Sequence, residues 1–432
     1  MSKLMKRLSP ARIIALGFAM MILLGSLLLI LPVSLREGVK LTYLDSLYTA
    51  TSAVCVTGLV VVDAGDTFTL FGQGVLAFLI QIGGLGVAAM GAGIMLAIRH
   101  RIDLHSRLLV REAMNLNPSR GVITFLRRLF LMTLFFEITG AVLSLPVFLQ
   151  DYPVGKAMWI SLFHSIAAFN NAGFDVLGSF QSLTGYYEDV WLNVVTAALI
   201  IAGGLGFLVI REIQVNRFNW RKYSLHAKVV LSMSAVLIVG GTLLLWFSED
   251  ITLLGAFFHS VSARTAGFAT YSLGEFSNAG LIWMIVLMFI GASPGSTGGG
   301  VKTTTVFVFL QSIKSAATNK KEKAFHYSLP KDAFRKAEVI VLIGIILVAI
   351  ATGIFLMLEP DISVGDALFE MTSAFATVGL STGVTQSIGS GAKLLSMIMM
   401  YIGRLGPLTV ATLWYFGHGE RVSYPEGNIA IG

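Results

Sequence analysis

One short pattern occurs four times along this chain, and each copy ends in a glycine followed by Leu or Phe. The copies align on that glycine without a gap. An aromatic residue stands ten positions before the glycine and a small residue five positions before it. The pattern therefore predicts four copies of one structural unit. The glycines are Gly58, Gly173, Gly267 and Gly379, the aromatic residues are Tyr48, Phe163, Phe257 and Phe369, and the small residues are Ala53, Ala168, Ser262 and Ala374.

The composition places these units in a membrane. The 432 residues are 55% hydrophobic and only 13% charged, with a mean hydropathy of +0.78, whereas a soluble domain carries about 25% charged residues. The length allows about eight spans of roughly 20 residues. The single cysteine, Cys55, excludes an intrachain disulfide. We predict spans near residues 12–33, 70–98, 122–150, 190–213, 228–248, 280–313, 337–358 and 391–416.

The basic residues are distributed unevenly between the two sides of the predicted membrane. Most of the 31 lysines and arginines lie in the N-terminal segment and in the loops 99–128, 211–228 and 314–336. By the positive-inside rule, we expect both termini in the cytoplasm and the protein in the cytoplasmic membrane. The net charge of +7 then reflects membrane topology and not nucleic-acid binding. The apolar run 13–31 is too long for a signal-peptide core, so we interpret it as the first span.

Each glycine pattern falls between an odd and an even predicted span, on the side with few basic residues. The segment before it is too short to cross: residues 44–57 would form about 20 Å of helix, against a hydrocarbon core of about 30 Å. Irregular backbone at membrane depth is tolerated only where it is buried in protein or lines a watery cavity. We therefore predict re-entrant half helices, two of them N-capped by Asp45 and Asp366. Four ordinary outer loops are the alternative.

The predicted fold is an all-α integral membrane protein with eight transmembrane helices and four re-entrant pore half helices. Each repeat contains a span, a half helix, a filter segment and a second span. The repeats comprise residues 1–98, 99–225, 226–330 and 331–432. Because four re-entrant segments of one chain can share one cavity only by surrounding it, the arrangement is pseudo-fourfold and resembles an ion-selectivity filter.

The filter segments predict potassium binding at backbone carbonyls. Their side chains provide no ring of carboxylates, and potassium filters use rings of carbonyls. Glycine adopts the backbone conformations that such a row requires at little cost, and the half helices point the negative ends of their dipoles at the cavity. The predicted filter residues are Val56, Thr57, Gly58, Asn171, Ala172, Gly173, Thr265, Ala266, Gly267, Thr377, Val378 and Gly379.

These motifs resemble those of the Trk/Ktr/HKT superfamily of potassium transporters, and within it the Ktr-type membrane subunit. The resemblance covers essentially the whole chain. It rests on the run ending in Gly173-Phe174, where Ala167 replaces a frequent Ser, and on the runs 264–268 and 403–408. It implies that one chain forms the pore. Relatives with Ser in place of the first filter glycine tend to pass sodium, so Gly58 implies potassium.

The resemblance also implies partners. Ktr-type relatives form homodimers in the lipid bilayer and assemble on a cytosolic ring of nucleotide-binding regulatory subunits, and sodium stimulates their potassium uptake. The tail 424–432 resembles a Ktr-type segment that helps dimer packing. The chain begins at the first repeat, without the extra spans of Trk-type members, which favours the Ktr type. No covalent cofactor is implied; potassium is the transported ion and sodium a stimulator.

A second repeat marks the outgoing spans, and one copy contains a positive charge. A charge at the bilayer centre costs about 2.5–3.5 kcal/mol on insertion scales, so it persists only where it faces water or a partner. We predict that Arg404 faces the pathway below the filter and repels cations, the role that the resemblance also assigns to it. Structural pairing with a neighbouring helix is the alternative. Arg404 stands where the other copies have Gly84, Gly204 and Ala292.

The third copy interrupts its span with glycine, serine and proline. Residues 281–290 alone would form about 15 Å of helix, half a membrane, and Pro294 breaks any continuation. The run resembles the intramembrane gating loop of the family, over residues 291–304, and a glycine kink is the alternative. Because Val301 precedes the lysine and no strand precedes the run, a phosphate-binding loop is excluded. The predicted gate residues are Arg404, Gly291, Gly295, Gly298, Gly299, Gly300 and Lys302.

Three further polar residues lie within the repeated segments. Arg264 stands three residues before Gly267, where it would block ions if it faced them. We expect it to turn outward and support the filter by bonding carbonyls or a carboxylate. His164 and Glu370 stand nine residues before their glycines, on half helices, where structural roles are favoured.

Other function classes fit the sequence less well. A secondary cation transporter with a different or less selective substrate would suit broken helices, and Glu137 is its candidate coupling carboxylate. A membrane enzyme would need convergent His, Asp or Glu residues at one depth, which the sequence does not indicate. A purely regulatory or scaffold subunit would not need four intact filter segments.

Overall fold

The computed structural model describes residues 9–97, 108–110, 121–217, 219–319 and 323–412. Most of the predicted basic N-terminus, most of the predicted loop 99–128 and the tail 424–432 lie outside them. The helices are α1 (Pro10–Leu29), α2 (Tyr43–Cys55), α3 (Ala64–Thr67), α4 (Leu70–Leu85), α5 (Val87–Ala97), α6 (Val122–Asp151), α7 (Val154–Phe169), α8 (Val190–Leu205), α9 (Phe207–Asn216), α10 (Leu225–Ser248), α11 (Leu253–Ser262), α12 (Asn278–Phe289), α13 (Thr303–Thr318), α14 (Lys331–Leu358), α15 (Val364–Ala376), α16 (Ser390–Leu405) and α17 (Pro407–Thr412). Two short strands, β1 (Lys323–Ala324) and β2 (Tyr327–Ser328), pair antiparallel. Single 3-10 turns occupy Pro32–Ser34, Thr184–Tyr186, Trp220–Lys222, Leu273–Glu275 and Val384–Gln386.

Four of these helices are long and apolar enough to cross a membrane. They are α1, α6, α10 and most of α14, with mean hydropathies from 1.8 to 3.1. At most 39% of each apolar window is buried within the chain, so the remainder needs an apolar solvent. The chain is therefore a multi-pass membrane protein, and these helices coincide with the first, third, fifth and seventh predicted spans.

The other four predicted spans are each divided into two helices. Gly86, Gly206 and Gly406 separate α4 from α5, α8 from α9 and α16 from α17, with φ angles of 84°, 90° and 89°. This left-handed conformation is one that glycine adopts at little cost. The direction changes by 102° between α8 and α9. The predicted spans 70–98, 190–213 and 391–416 are therefore not single continuous helices, and the predicted interruption of the sixth span is present over residues 290–302.

The short helices α2 and α15 begin at hydroxyl caps. The side chains of Thr42 and Ser363 accept hydrogen bonds from the amides of Asp45 and Asp366, three residues later. The prediction that the two aspartates are the N-caps is therefore wrong. Each carboxylate instead accepts a 2.7 Å hydrogen bond from the capping hydroxyl, inside the first turn, where the helix dipole favours a negative charge.

Packing between the units forms a cycle. In each unit the long helix packs on the short helix that follows it: α1 on α2, α6 on α7, α10 on α11 and α14 on α15. Each outgoing helix packs on the short helix of the next unit: α4 on α7, α8 on α11, α12 on α15 and α16 on α2. The last pair closes the cycle, with Lys393 Nζ of α16 2.6 Å from Asp45 Oδ1 of α2.

Candidate functional site

The four repeated glycines follow the C-terminal ends of the four short helices. All four have positive φ, at 91° for Gly58, 66° for Gly173, 82° for Gly267 and 94° for Gly379. A side chain would be strained at each of them. The residue two positions earlier is also left-handed in every copy, although none of the four is glycine. These residues are Val56, Asn171, Thr265 and Thr377.

The four glycine segments lie against one another in a closed ring. A side-chain carbon added at any of these glycines would collide with a backbone oxygen of the adjacent segment. Each segment therefore has a neighbour on both sides, and the residues before the glycines meet at one level. The colliding oxygens belong to Ala172 for Gly58, Ala266 for Gly173, Val378 for Gly267 and Thr57 for Gly379.

Hydrogen bonds hold the amides of these segments to the short helices behind them. The amide of Thr57 donates to the Ser52 carbonyl at 2.8 Å, and the amide of Gly58 to the Ser52 hydroxyl at 3.0 Å. Val378 and Gly379 repeat both bonds on Ser373, at 2.9 and 3.1 Å. In the second unit, Ala172 donates to the carbonyl of Ala167, which has no hydroxyl. The amides thus point away from the ring.

The carbonyls of the ring have no such partners. Among the described residues, no hydrogen-bond donor reaches the carbonyl oxygens of Thr57, Ala172, Ala266 and Val378, although all four residues are fully buried. Buried carbonyls are nearly always paired, because leaving one unpaired costs about 1–3 kcal/mol. Four unpaired oxygens at one level can coordinate a cation that has shed its water.

A cavity of about 300 Å³ opens on one side of the ring. All four glycines line it, together with Asp63, Asp175 and the loop residues 381–383. The carboxylates of Asp63 and Asp66 accept backbone hydrogen bonds from Phe180 and Ser179, at 2.6 and 2.8 Å. This ties the loop of the second unit to the first.

The acidic side chain of Asp175 also faces this cavity. Burial raises the pKa of Asp175 to about 7, and the negative charges of Asp63 and Asp66 act in the same direction. The carboxyl group therefore changes charge near neutral pH. When it is ionised, its negative charge attracts cations to the cavity beside the ring.

The loop between α12 and α13 lies against the opposite side of the ring. Its Gly299 amide donates to Thr377 Oγ1 at 3.1 Å, and its Thr297 hydroxyl lies 3.2 Å from Asn171 Oδ1. Gly298 packs on the side chain of Thr265. The loop thus touches three of the four left-handed residues of the ring, Asn171, Thr265 and Thr377.

Two cationic side chains hold this loop. Arg404 donates to the carbonyls of Thr297, in the loop, and Gly83, in α4, with a longer contact of 3.4 Å to Gly84. Lys302 Nζ donates to the carbonyls of Gly298 at 2.6 Å and Gly299 at 3.3 Å. The two positive charges therefore lie with the loop, close beneath the ring.

The structure also brings the two sequence repeats together. In three units the first glycine of the outgoing repeat packs on the carbonyl four residues before the ring glycine: Gly83 on Val54, Gly203 on Phe169 and Gly403 on Phe375. No side chain would fit between them. The outgoing helices are therefore positioned by the ends of the short helices, and the next residue, Arg404 in the fourth unit, is placed beneath the ring.

Comparison with known proteins identifies the family. The family model described as "TrkH: Cation transport protein" matches residues 19–228 and 225–418. This chain belongs to the TrkH family of cation transport proteins. Membership confirms the resemblance to the Trk/Ktr/HKT superfamily on which the sequence interpretation rests.

Relatives and a solved structure of this TrkH-family chain agree with that assignment. The potassium/sodium uptake protein NtpJ of Enterococcus hirae is 37% identical, covering 99% of this chain and 98% of NtpJ. The Ktr system potassium uptake protein B of Bacillus subtilis is 35% identical, covering 99% and 97%. The crystal structure of the potassium transporter TrkH from Vibrio parahaemolyticus has a TM-score of 0.74 at 18% identity, covering 94% of this chain and 84% of that one. This structural likeness shows a shared fold.

Arg264 of the TrkH-family chain lies behind the ring and does not enter it. Its guanidinium donates to the carbonyl of Ser234 at 3.3 Å and to the Ser234 hydroxyl at 3.1 Å, both in α10. The side chain turns outward, as expected, but its partners belong to the long helix of its own unit. Arg264 thus joins the third ring segment to that helix.

Further buried polar side chains form hydrogen bonds behind the ring, and the sequence predicts only some of them. Glu370 of α15 is buried, and the hydroxyls of Ser381 and Thr385 donate to its carboxylate, the latter at 2.7 Å. In the second unit, Asn170 Nδ2 donates to Glu137 at 3.0 Å and to Gln81 at 2.9 Å. The sequence does not reveal Gln81, because a lone glutamine in an apolar helix has no pattern around it.

His164 has a structural partner in the same unit. Its Nε2 lies 2.8 Å from Thr196 Oγ1 of α8, and the imidazole is buried. This contact links the short helix to the outgoing helix behind the ring, in agreement with the structural role expected for it.

Proposed function

We propose that this protein mediates potassium uptake across the cytoplasmic membrane through the ring of backbone carbonyls. The observation that carries the proposal is the set of four buried, unpaired carbonyls at Thr57, Ala172, Ala266 and Val378. Such oxygens replace the hydration shell of a potassium ion. The names of the relatives, potassium/sodium uptake protein and Ktr system potassium uptake protein B, favour the same substrate.

The proposed architecture is a single-chain pore with pseudo-fourfold symmetry and eight membrane crossings. The cyclic packing of the units supports it, as do the three helices broken at equivalent glycines. The cavity of about 300 Å³ is the outer mouth, and the loop 290–302 faces the cytoplasm together with both termini. Potassium ions enter from the mouth, lose water at the ring and wait above the loop.

The gate in this proposal comprises the loop, Lys302 and Arg404. Both side chains bond loop carbonyls, so they hold the loop in place and add positive charge beneath the ring. A potassium ion passes when the loop leaves Thr377 and Asn171. The gate residues Gly291, Gly295, Gly298, Gly299 and Gly300 allow this movement, because glycine backbone has many accessible conformations.

The proposed assembly is a homodimer on a cytosolic ring of nucleotide-binding regulatory subunits, with sodium as a stimulator. The support is membership of the family and similarity over the whole length to a Ktr system protein. The regulatory subunit would act on the loop from the cytoplasm. Potassium is the cargo, and no covalent cofactor is part of the proposal.

A secondary transporter that uses Glu137 for coupling is the competing function. The Glu137 carboxylate accepts a hydrogen bond from Asn170, and its backbone carbonyl accepts one from Ser165 at 2.7 Å. Ser165 lies in α7, and Asn170 is the residue that directly follows this helix. Glu137 thus supports the second ring segment from behind and does not line the mouth, which favours the channel-like function.

The test is potassium uptake in cells that lack their own uptake systems, with the wild-type chain and with Gly58→Ser. A serine at this position has a strained φ and collides with the Ala172 carbonyl. We expect the preference for potassium over sodium to fall at least about tenfold, a loss of about 1.4 kcal/mol of discrimination. Uptake is measured with and without a Ktr-type regulatory subunit.

Gly38→Ser is the matched control. Gly38 also has a positive φ, 81°, but no atom lies within 4 Å of an added side-chain carbon. This variant should keep the wild-type ion preference. A wild-type chain that takes up no potassium in either setting would refute the proposed function, as would equal preferences in both serine variants.

A further inference from the structure

A second cavity lies away from the ring, between two helices that each contribute an arginine to its lining. It has a volume of about 450 Å³ and is lined by α6 and α9. We name it the α6–α9 groove and define it by Phe125, Arg128, Met132 and Phe135 of α6 with Phe207 and Arg211 of α9. None of these residues belongs to the ring, the mouth or the loop.

Two arginines, Arg128 and Arg211, give the groove positive charge. Arg128 lies near the N-terminal end of α6, and Arg211 in the first half of α9. Both are exposed, and within the described ranges neither guanidinium forms a hydrogen bond or an ion pair. Gln214 adds a polar side chain beside them. Two free guanidiniums on one cavity are suited to a phosphate group, which arginine binds with paired hydrogen bonds.

An apolar strip continues from the arginines along α6. Leu131 and Phe135 are 58% and 62% exposed, and Ile138 and Val142 follow on the same side at 51% and 62%. Residues three, four and seven apart share one face of a helix. The strip from residue 128 to residue 142 is about 21 Å long. One leaflet contributes about half of the roughly 30 Å hydrocarbon core. The strip is therefore about as long as one acyl chain together with its headgroup.

We propose that the α6–α9 groove binds an anionic phospholipid. The phosphate lies between Arg128 and Arg211, and an acyl chain follows the strip over Leu131 and Phe135. Basic pockets between membrane helices on the cytoplasmic side are a known form of lipid recognition. The inference rests on the membrane placement of the proposed function and not on which ion is conducted.

The shape of the groove favours a lipid over its alternatives. A free phosphate would use the arginines and leave the apolar strip uncovered. A soluble protein partner could cover the arginines, but it could not follow α6 into the hydrocarbon region. A phospholipid satisfies both parts, because its charged group and its chain are joined in the same order as the arginines and the strip.

The groove is directly connected to the loop beneath the ring. Phe207 lines the groove, and its amide donates to the Gly295 carbonyl at 3.1 Å. The preceding residue, Gly206, packs on the carbonyl of Pro294. A lipid bound against α9 therefore contacts the helix that anchors the loop, which gives the membrane composition a route to the gate.

The experiment counts lipids that remain bound to the purified full-length protein by native mass spectrometry. Phosphatidylglycerol and phosphatidylcholine with identical acyl chains are added in turn. We expect phosphatidylglycerol to be retained in preference to phosphatidylcholine. Each interfacial arginine contributes about fivefold to the binding of an anionic lipid, so Arg128→Gln with Arg211→Gln should weaken it about 25-fold.

Arg217→Gln with Arg221→Gln is the control, because it removes the same charge from a neighbouring segment that lines a different surface pocket. It should retain the lipid, as should Arg128→Lys with Arg211→Lys to a lesser degree. Equal losses in both glutamine pairs, or equal retention of the two lipids, would overturn the proposal. Displacement by millimolar inorganic phosphate alone would assign the arginines to a free anion. A groove variant that changes the oligomeric state while its lipid content stays constant would assign the groove to a second copy of the chain.

Discussion

At the scale of single residues, the ring imposes a backbone conformation that its side chains do not prefer. Val56, Thr265 and Thr377 are β-branched and have φ angles of 56°, 76° and 51°. Such residues rarely enter the left-handed region, and each costs on the order of 1–3 kcal/mol there. The same conformation appears with Asn171, so residue type does not set it. The closed packing of the four units sets it, and the strain is located where the carbonyls are left unpaired.

Arg404 contributes both a positive charge and hydrogen bonds beneath the ring. Replacing Arg404 with Ala removes a positive charge beneath the ring and two hydrogen bonds that fasten the loop to α4. For a potassium ion roughly 8 Å away, an effective dielectric of about 20 gives a repulsion of about 2 kcal/mol. We therefore expect potassium flux through the variant to rise by about thirtyfold, measured as tracer efflux from proteoliposomes.

Arg404→Lys distinguishes the effect of the positive charge from that of the hydrogen bonds that join the loop to α4. A lysine keeps the positive charge but cannot bond Thr297 and Gly83 in the same planar arrangement. Flux near the wild-type level in this variant would identify the charge as the barrier. Flux as high as in the alanine variant would show that the hydrogen bonds between the loop and α4, and not the charge, form the barrier. Unchanged flux in Arg404→Ala would remove Arg404 from the gate.

At the scale of elements, the sequence predicts the short helices, but it does not predict the breaks that divide the outgoing helices. The repeat ending in Gly86, Gly206 and Gly406 is visible in the sequence, where it marks the outgoing spans without indicating a break. The same glycine can lie inside a helix or end one, and only its contacts decide. Here Gly83, Gly203 and Gly403, three residues before each last glycine, pack on the ends of the short helices, so the chain must turn where the last glycine permits a positive φ. Equivalent glycines in several repeats were the signal that could have revealed the breaks.

The loop between α12 and α13 can be removed without disturbing the two helices that it joins. Its two ends already lie together, because the Gly291 amide donates to the Val301 carbonyl at 2.9 Å. Deleting residues 293–300 can therefore be closed without separating α12 from α13. We expect a folded variant with much higher potassium flux that no longer responds to the regulatory subunit, measured in the same proteoliposomes.

The ion preference of the deletion variant distinguishes two roles of the loop. Because the loop contacts the side chains of Thr377 and Asn171 and not the ring carbonyls, the preference for potassium over sodium should be unchanged. A deletion variant whose flux stays regulated would refute the loop as the gate. High flux with a lost preference for potassium over sodium would instead show that the loop stabilises the ring.

At the scale of the whole molecule, the ring and the mouth differ in how far they follow from the sequence. The ring follows from four aligned glycines, because equivalent segments in one chain must surround a common cavity. The mouth does not, because its loops share no pattern: Asp63 and Asp66 of the first unit bind the backbone of Ser179 and Phe180 in the second. Single contacts between distant parts of the chain leave no periodicity that a sequence can reveal.

Asp175 in this mouth leads to a prediction of pH dependence. Its pKa is raised to about 7, chiefly by burial, so the carboxyl group is neutral below about pH 7 and negative above it. The negative form concentrates cations above the ring. Potassium uptake at low external potassium should therefore fall as the external pH drops from 8 to 6, and Asp175→Asn should show the low, acidic level of uptake throughout this range.

A control variant and the potassium concentration distinguish an effect of Asp175 in the mouth from an effect in the ring. Asp361→Asn removes one exposed carboxylate from the loop between α14 and α15, away from the cavity, and should keep the wild-type pH profile. Because Asp175 acts by attracting ions and does not contact the ring carbonyls, the deficit of its variant should disappear at saturating potassium. A deficit that persists at saturation would place the effect in the ring, and a pH profile that survives in Asp175→Asn would assign the titration to another group.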